Sequence, residues 1–163
     1  MDSLYGKESY SQSKCIFLAG PIEAWWDTPE NPNMWNSPEA VAYREHRTKV
    51  ADALVAEGFL VYRPWGAFRG DWNEKFQGVN DYVLLRSDAV TELTPPNTPA
   101  VGTRHEVGLA LRNKIPVIGF PPVPPEHFDR FMEHHIKYTI DAIDRWAVYR
   151  QEALDRGDLP VLD

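Results

Sequence analysis

Short apolar segments alternate with longer amphipathic segments along this chain, and this alternation limits the fold more than any other feature. The first apolar segment, Cys15–Ala19, is continuous, which is typical of a strand buried on both faces. Further strands are predicted at residues 59–62, 88–93 and 115–120. Strands that alternate with helices form βαβ units with right-handed crossovers. The sequence therefore predicts an α/β fold with a parallel sheet of about four or five strands.

The predicted helices cover residues 38–57, 74–87, 103–113, 126–135 and 139–156. The first of them has the clearest boundaries. Ser37 is a good N-cap, Pro38 suits the first helical position, and Gly58 suits the end of the helix. Residues 23–37 and 65–73 are rich in Trp, Asn, Pro and Gly and are predicted to be loops.

Length and charge exclude several classes of protein. At 163 residues the chain has the size of one domain, which we place at residues 14–163 behind a flexible segment at residues 1–13. The formal net charge of -7 argues against a protein that binds a nucleic-acid polymer. A single cysteine allows no internal disulfide, and no signal peptide or membrane span is evident. We expect a cytoplasmic protein that does not bind a membrane.

Several common motifs are missing. The sequence has no GxGxxG after its first strand, no GxxxxGK[ST] and no GxSxG elbow. No His, Cys and acidic residues have the spacing of zinc ligands, and the adjacent His134 and His135 are predicted to be surface residues. We expect neither a metal nor an organic cofactor.

The most informative polar residue is Glu106, which follows a loop rich in Pro and Thr. The pattern of residues 102–110 predicts a loop that closes into the first turn of a helix, with Glu106 in that turn. Helix starts at a parallel sheet edge usually face the ligand crevice, and the loop Gly20–Ile22 would open onto the same crevice. A catalytic carboxylate and an acid that merely stabilises a helix start both fit this position.

Five segments in order resemble the nucleoside 2-deoxyribosyltransferase family, which includes nucleoside monophosphate N-glycosidases such as CMP hydrolase. The segments are an apolar strand ending in AGPI, then GF-V-Y-R-P, N-(x7)-D-A-V, G-T-x-x-E-V-G-x-A and K-x-P-V-I. The resemblance covers about residues 14–120. It implies a flavodoxin or Rossmann-like three-layer fold and cleavage of the N-glycosidic bond of a (2′-deoxy)nucleoside or nucleotide.

The resemblance also implies residue roles. Glu106 matches the family's nucleophile, which holds the sugar as a glycosyl ester before transfer to water or to another base. An acid that orients the substrate commonly lies eight residues before the aspartate of the third strand. Counting back from Asp88 gives Asn80, with Asp81 next to it, so either residue is a candidate for this role.

Substrate binding is expected from two sets of loops. Gly20, Pro21 and Ile22 would pack against the sugar or base. The phosphate-binding serine of the monophosphate-cleaving members is replaced by Ala100, which weakens the case for a phosphorylated substrate. The remaining candidates for an anion are Arg63, Arg69, Gly102, Thr103 and Arg104. Five tryptophans lie in loops near the expected crevice, and we expect at least one to stack on a base: Trp25, Trp26, Trp35, Trp65 and Trp72.

Two other functions are compatible with the sequence. One is a non-catalytic nucleotide-binding or sensing module on the same fold, because fold alone does not determine function. The other is an NAD glycohydrolase. Family members usually assemble as dimers or larger oligomers, so a homo-oligomer is expected, with the helix that carries Trp146 and Tyr149 as a candidate contact.

Overall fold

The computed structural model describes residues 14–21, 27–64, 74–98 and 100–158. Four strands form the sheet: β1 (Cys15–Ala19), β2 (Leu60–Tyr62), β3 (Ala89–Glu92) and β4 (Val117–Gly119). Four helices connect or follow them: α1 (Pro38–Ala56), α2 (Glu74–Leu84), α3 (Val101–Arg112) and α4 (Phe128–Asp155). Short 3-10 turns cover Met34–Asn36 and Pro125–His127.

The sheet is parallel throughout its described strands and has the order β2-β1-β3-β4. This arrangement confirms the predicted Rossmann or flavodoxin-like α/β fold with four strands. In the register, Ile16 pairs with Val61 on one side and with Ala89 on the other. The chain moves outward from β1 to β2 and then crosses back to β3. The strand order therefore reverses between β1 and β3, and their carboxyl ends define the expected ligand crevice.

The alternation of side chains along β1 divides the core into two layers. Ile16 and Leu18 face α1 and α4, whereas Phe17 and Ala19 face α2 and α3. The first layer is the larger one and contains Val50 and Leu54 of α1 together with Met132, Ile136, Ile140 and Ile143 of α4. The second layer contains Leu84, Val90, Ala110 and Ile115. All of β1 from Ile16 onward is buried, as its continuous apolar sequence predicts.

The boundaries of α1 follow from its caps. Ser37 Oγ accepts a hydrogen bond from the Ala40 backbone N–H at 3.2 Å, and Pro38 occupies the first turn. Gly58 follows the helix with a φ of 105°, a left-handed conformation that glycine adopts most easily. The predicted helix at residues 38–57 is confirmed to within one residue.

A single helix, α4, replaces the two helices predicted at residues 126–135 and 139–156. The connecting residues Ile136, Lys137 and Tyr138 include no glycine or proline that would end a helix. The buried side of the helix also continues through this region, with Ile136, Ile140 and Ile143 at helical spacing. The prediction of two helices was wrong because the polar residues around 137 lie on the exposed side of one continuous helix.

His135 is also a correction, because it was predicted to lie on the surface. Its side chain is only 3 % exposed, and its Nε2 lies 3.0 Å from Thr91 Oγ1 of β3. His134 is exposed, as predicted. Burial lowers the pKa of His135 to about 4, so the ring is neutral at pH 7. Within the described part of the chain, no helix is both long enough and apolar enough to cross a membrane.

Candidate functional site

The carboxyl ends of β1 and β3 meet at Gly20 and Leu93, which follow these strands directly. A Cβ atom at Gly20 would overlap the Tyr43 hydroxyl and would lie 3.2 Å from Leu93 Cβ. Tyr43 belongs to α1, so the glycine lets this helix approach the end of β1 closely. The described contacts of Gly20 are thus packing contacts within the protein. The next residue, Pro21, is buried.

Glu106 lies in the second turn of α3, so its predicted position in the first turn was wrong. The helix begins at Val101, and the Arg104 backbone N–H donates to the Ala100 carbonyl at 2.8 Å to close the first turn. No acidic residue lies in that turn. The favourable effect of a helix N-terminus on an acid decays within the first turn. Stabilisation of a helix start therefore explains Glu106 less well than the sequence suggested.

Glu106 is 7 % exposed and belongs to a cluster of polar residues supplied by different elements. Arg47 of α1 and Tyr62 of β2 both interact electrostatically with its carboxylate. Arg47 is itself only 8 % exposed and contacts Tyr43, one helical turn before it. Desolvation lowers the pKa of Arg47, while Tyr43 and Glu106 oppose this change. The guanidinium remains charged at ordinary pH.

Asn80 is connected to this cluster through Tyr62. The Tyr62 hydroxyl donates a hydrogen bond to Asn80 Oδ1 at 2.8 Å, and the Asn80 side chain is 4 % exposed. Burial raises the pKa of Tyr62, and the negative charge of Glu106 adds to this effect. The phenol therefore stays neutral near pH 7 and acts as a hydrogen-bond donor. The structure thus links Asn80, through one hydrogen bond, to a residue that interacts with Glu106.

Asp81, the other candidate for the orienting role, has different partners. His105 Nε2 lies 3.0 Å from both of its carboxylate oxygens, and the Gln77 side-chain amide donates to Asp81 Oδ1 at 2.8 Å. The contact with His105 joins α2 to α3 on a partly exposed surface, whereas the contact with Gln77 lies within α2. The described contacts of Asp81 therefore connect two helices, whereas those of Asn80 lead toward Glu106.

A separate cleft of about 520 Å³ lies beside the N-terminus of α3. Thr103 and Arg104 line it, together with Glu92 and Thr94 at the end of β3. Thr103 is 2 % exposed, and its hydroxyl has no hydrogen-bond partner among the described residues. Arg104 is exposed. The cleft thus offers a buried hydroxyl and one exposed cation, but Glu92 adds a negative charge to its lining.

The other predicted binding residues are dispersed. Gly102 is half-buried in the first turn of α3. Arg63 is exposed and forms an ion pair of 3.6 Å with Asp52 on the surface. Trp35 is partly buried, and the Arg44 guanidinium lies 4.2 Å from its ring centroid. The remaining predicted residues lie outside the described part of the chain: Ile22, Trp25, Trp26, Trp65, Arg69 and Trp72.

Sequence reasoning missed Tyr43, Arg47 and Tyr62. The available signal was the periodicity of α1, whose buried side includes Ala40, Tyr43, Val50 and Leu54. Arg47 occupies a position on this side where an apolar residue is expected. A charged residue at a core position is costly unless it is paired, so this exception to the pattern marked a candidate site residue.

Neither a metal-binding group among the described residues nor a match to a known protein identifies the site. Among residues 14–21, 27–64, 74–98 and 100–158, no group of three or more His, Cys, Asp or Glu side chains is placed to hold a metal ion. No protein-family model matches the sequence, and a comparison with curated proteins finds no match.

The chemistry available to the cluster follows from its groups. Glu106 can act as a nucleophile or a general base, and Arg47 can stabilise its negative charge. Tyr62 supplies a neutral hydroxyl, and Asn80 supplies an amide with both donors and acceptors. The low exposure of Glu106, Arg47 and Asn80 keeps the local dielectric constant low, which strengthens electrostatic interactions among them.

Proposed function

We propose that this protein cleaves the N-glycosidic bond of a (2′-deoxy)nucleoside or nucleotide through a glycosyl ester on Glu106. The sugar then passes to water or to a second base. The resemblance of residues 14–120 to the nucleoside 2-deoxyribosyltransferase family suggests the reaction, and the residues around Glu106 provide the chemical support.

One observation supports the proposal: the buried Glu106 carboxylate interacts electrostatically with Arg47 of α1 and with Tyr62 at the end of β2. Arg47, Tyr62 and Glu106 come from α1, β2 and α3, so residues far apart in sequence converge on one carboxylate. Such convergence of ionisable groups at a sheet edge is typical of active sites.

In the first step, a carboxylate oxygen of Glu106 forms a bond to the anomeric carbon while the bond from that carbon to the base nitrogen breaks. The electron pair of the broken bond leaves with the base, which takes up a proton from solvent. In the second step, water or another base nitrogen attacks the same carbon, loses a proton to solvent and releases Glu106 as a carboxylate. A missing 2′-hydroxyl eases the positive charge that develops on the sugar, so we favour 2′-deoxy substrates.

Asn80 and Tyr62 would orient the sugar beside Glu106 in this scheme. The cleft at the start of α3 could receive an anionic substituent through Thr103, Arg104 and the backbone N–H groups of the first helical turn. Because Glu92 lines the same cleft, a dianionic phosphate would meet one repulsive contact there.

A panel of substrates tests the reaction directly. Purine and pyrimidine nucleosides, their 2′-deoxy forms, their 5′-monophosphates and NAD are each incubated with the protein and analysed by chromatography. We expect free base from at least one nucleoside or monophosphate. A second free base, added in parallel, distinguishes transfer from hydrolysis because only transfer yields an exchanged nucleoside.

Glu106→Gln is the decisive variant, because the amide is nearly isosteric but is a poor nucleophile. We expect base release to fall at least about a thousandfold. Glu126→Gln, at an exposed glutamate, serves as the matched control and should keep the wild-type rate. If the wild type binds nucleotides but releases no base from any substrate, the protein is a binding module and the proposal is wrong.

A further inference from the structure

A cleft of about 380 Å³ lies beside the amino end of β4. Four residues line it: Lys114, Arg145, Trp146 and Tyr149. Lys114 connects the end of α3 to the start of β4, whereas the other three residues belong to the second half of α4. Because the sheet is parallel, its amino ends lie at the edge opposite to the carboxyl ends of β1 and β3. The cleft is therefore separate from the proposed site around Glu106.

The charge of this cleft is unusual for a chain with a formal net charge of -7. Lys114 and Arg145 are both exposed, and neither forms an ion pair with a described residue. None of the four described residues that line the cleft is acidic. Two unpaired cations that share one cleft repel each other, and an anion bound between them would offset this repulsion. The lining therefore favours a negatively charged ligand.

Lys114 has a backbone conformation that lysine seldom adopts. Its φ is 62°, in the left-handed region. The ends of α1 and α4 use glycine in this region, at Gly58 and Gly157. Glycine is favoured there because a Cβ atom makes the left-handed conformation less stable. A cation near a helix C-terminus stabilises that end, which gives one reason for Lys114. It gives no reason for Arg145, which lies on a different helix.

Trp146 and Tyr149 give the cleft an aromatic wall. Tyr149 is 40 % exposed, and Trp146 packs against the second layer of the core. The Trp146 Nε1–H is buried but has no hydrogen-bond partner among the described residues, whereas a buried indole N–H usually has one. The Arg150 guanidinium lies 5.3 Å from the centroid of the Trp146 ring and adds a third positive charge. The wall thus combines aromatic surface with positive charge and an unused donor.

We propose that this cleft binds a small organic anion that carries an aromatic ring. The carboxylate or phosphate of the ligand lies between Lys114 and Arg145, because a guanidinium binds either group through paired hydrogen bonds. The ring of the ligand packs against Trp146 and Tyr149. A 5′-mononucleotide and an aromatic carboxylate share this chemistry. The inference does not depend on the reaction proposed for Glu106, because the two sites lie at different places on the sheet.

NMR of the tryptophan side chains tests binding at this cleft. Each of the six indole N–H groups gives a signal in a ¹⁵N–¹H spectrum, and the signal that disappears in Trp146→Phe identifies Trp146. The probes are adenosine 5′-monophosphate, cytidine 5′-monophosphate and benzoate. Adenosine lacks the charge and inorganic phosphate lacks the ring, so these two molecules serve as controls. We expect at least one probe to shift the Trp146 signal and to bind at least about tenfold more tightly than either control.

The three probes distinguish the two kinds of anion. A shift with the mononucleotides alone assigns a phosphate ligand, and a shift with benzoate alone assigns a carboxylate. If the probes shift the signals of other tryptophans but leave that of Trp146 in place, they bind elsewhere and the inference is wrong. The inference is also wrong if no probe shifts the Trp146 signal at millimolar concentration.

Calorimetric titration of charge variants provides a second measurement that does not need Trp146→Phe to fold. Lys114→Ala and Arg145→Ala change exposed side chains, so we expect both variants to fold. Each should weaken binding of the best probe by about tenfold or more. Lys137→Ala is the matched control, because it removes an exposed lysine of α4 that does not line the cleft. Binding that both Lys114→Ala and Arg145→Ala leave unchanged would overturn the inference.

The same variants separate this inference from the proposed function. Neither Lys114 nor Arg145 belongs to the cluster around Glu106, so their substitution should leave base release unchanged. If the wild type releases no base, the proposed reaction fails, while the NMR and calorimetric titrations still decide whether the cleft binds an aromatic anion.

Discussion

The Tyr62 hydroxyl donates a hydrogen bond to Asn80 Oδ1 at 2.8 Å, and this contact joins the end of β2 to α2 across the edge of the sheet. Tyr62 also interacts electrostatically with Glu106. Tyr62 therefore links Asn80, one of the two candidates for the orienting role, to Glu106, the candidate nucleophile.

Tyr62→Phe removes this hydrogen bond with little change in side-chain volume. We expect a loss of about 1 kcal/mol in the free energy of unfolding, measured by urea denaturation. Asn80→Ala should also destabilise the protein, and the double variant should lose less than the sum of the two single losses. The expected coupling is about 0.5–1.5 kcal/mol. If the stability losses of the two single variants add up to that of the double variant, the hydrogen bond contributes nothing to stability.

The contact between Gly20 and Tyr43 gives a second prediction. Gly20→Ala introduces a Cβ where the Tyr43 hydroxyl lies, so we expect destabilisation of about 1–3 kcal/mol. Tyr43→Phe removes the hydroxyl that the new Cβ would overlap. The double variant should therefore regain part of the stability that Gly20→Ala loses. Thermal unfolding of the four proteins measures the effect. If Gly20→Ala destabilises the wild type and Tyr43→Phe equally, the Tyr43 hydroxyl is not the reason that position 20 requires glycine.

His135 makes stability depend on pH. Its folded-state pKa of about 4 lies below its ordinary value of 6.5, so the unfolded chain binds a proton more readily between these values. The contribution of the neutral ring to the free energy of unfolding is fully present above about pH 6.5. It is lost as the pH falls toward 4. The folded-state and ordinary pKa values of His135 differ by about 2.5, which corresponds to about 3 kcal/mol in the free energy of unfolding.

Urea denaturation between pH 7.5 and 4 measures this dependence. We expect the stability of His135→Gln to fall less steeply with decreasing pH than that of the wild type. His134→Gln is the matched control, because its exposed ring neighbours His135 and should leave the wild-type slope unchanged. An identical slope in His135→Gln and wild type would contradict a buried neutral histidine.

The fold was predictable because its signals are local. The continuous apolar run at Cys15–Ala19 and the caps of α1 specify those elements without help from distant residues. The boundary between the predicted pair of C-terminal helices was not predictable in this way. A polar stretch such as residues 137–138 can end a helix or lie on its exposed side. Packing against the sheet decides between the two, and the local sequence does not show that packing.

The candidate site was predictable only in part. The resemblance indicated Glu106 as the nucleophile and Asn80 or Asp81 as the orienting residue. Arg47 and Tyr62 come from α1 and β2, and only the fold brings them close enough to interact with Glu106. The periodicity of α1 marks Arg47 as a charged exception on the buried side, but the sequence does not show which groups lie near it. His135 was misassigned for the same reason, since its partner Thr91 lies on β3.

The central claim is that Glu106 carries the sugar during the reaction. The most direct measurement is mass spectrometry of the protein after brief incubation with its best substrate and quenching in acid. We predict a sugar ester on the peptide that contains Glu106, and its absence in Glu106→Gln, which should also release almost no base. Base release at an undiminished rate by Glu106→Gln, or a sugar ester on a different residue, would contradict the claim.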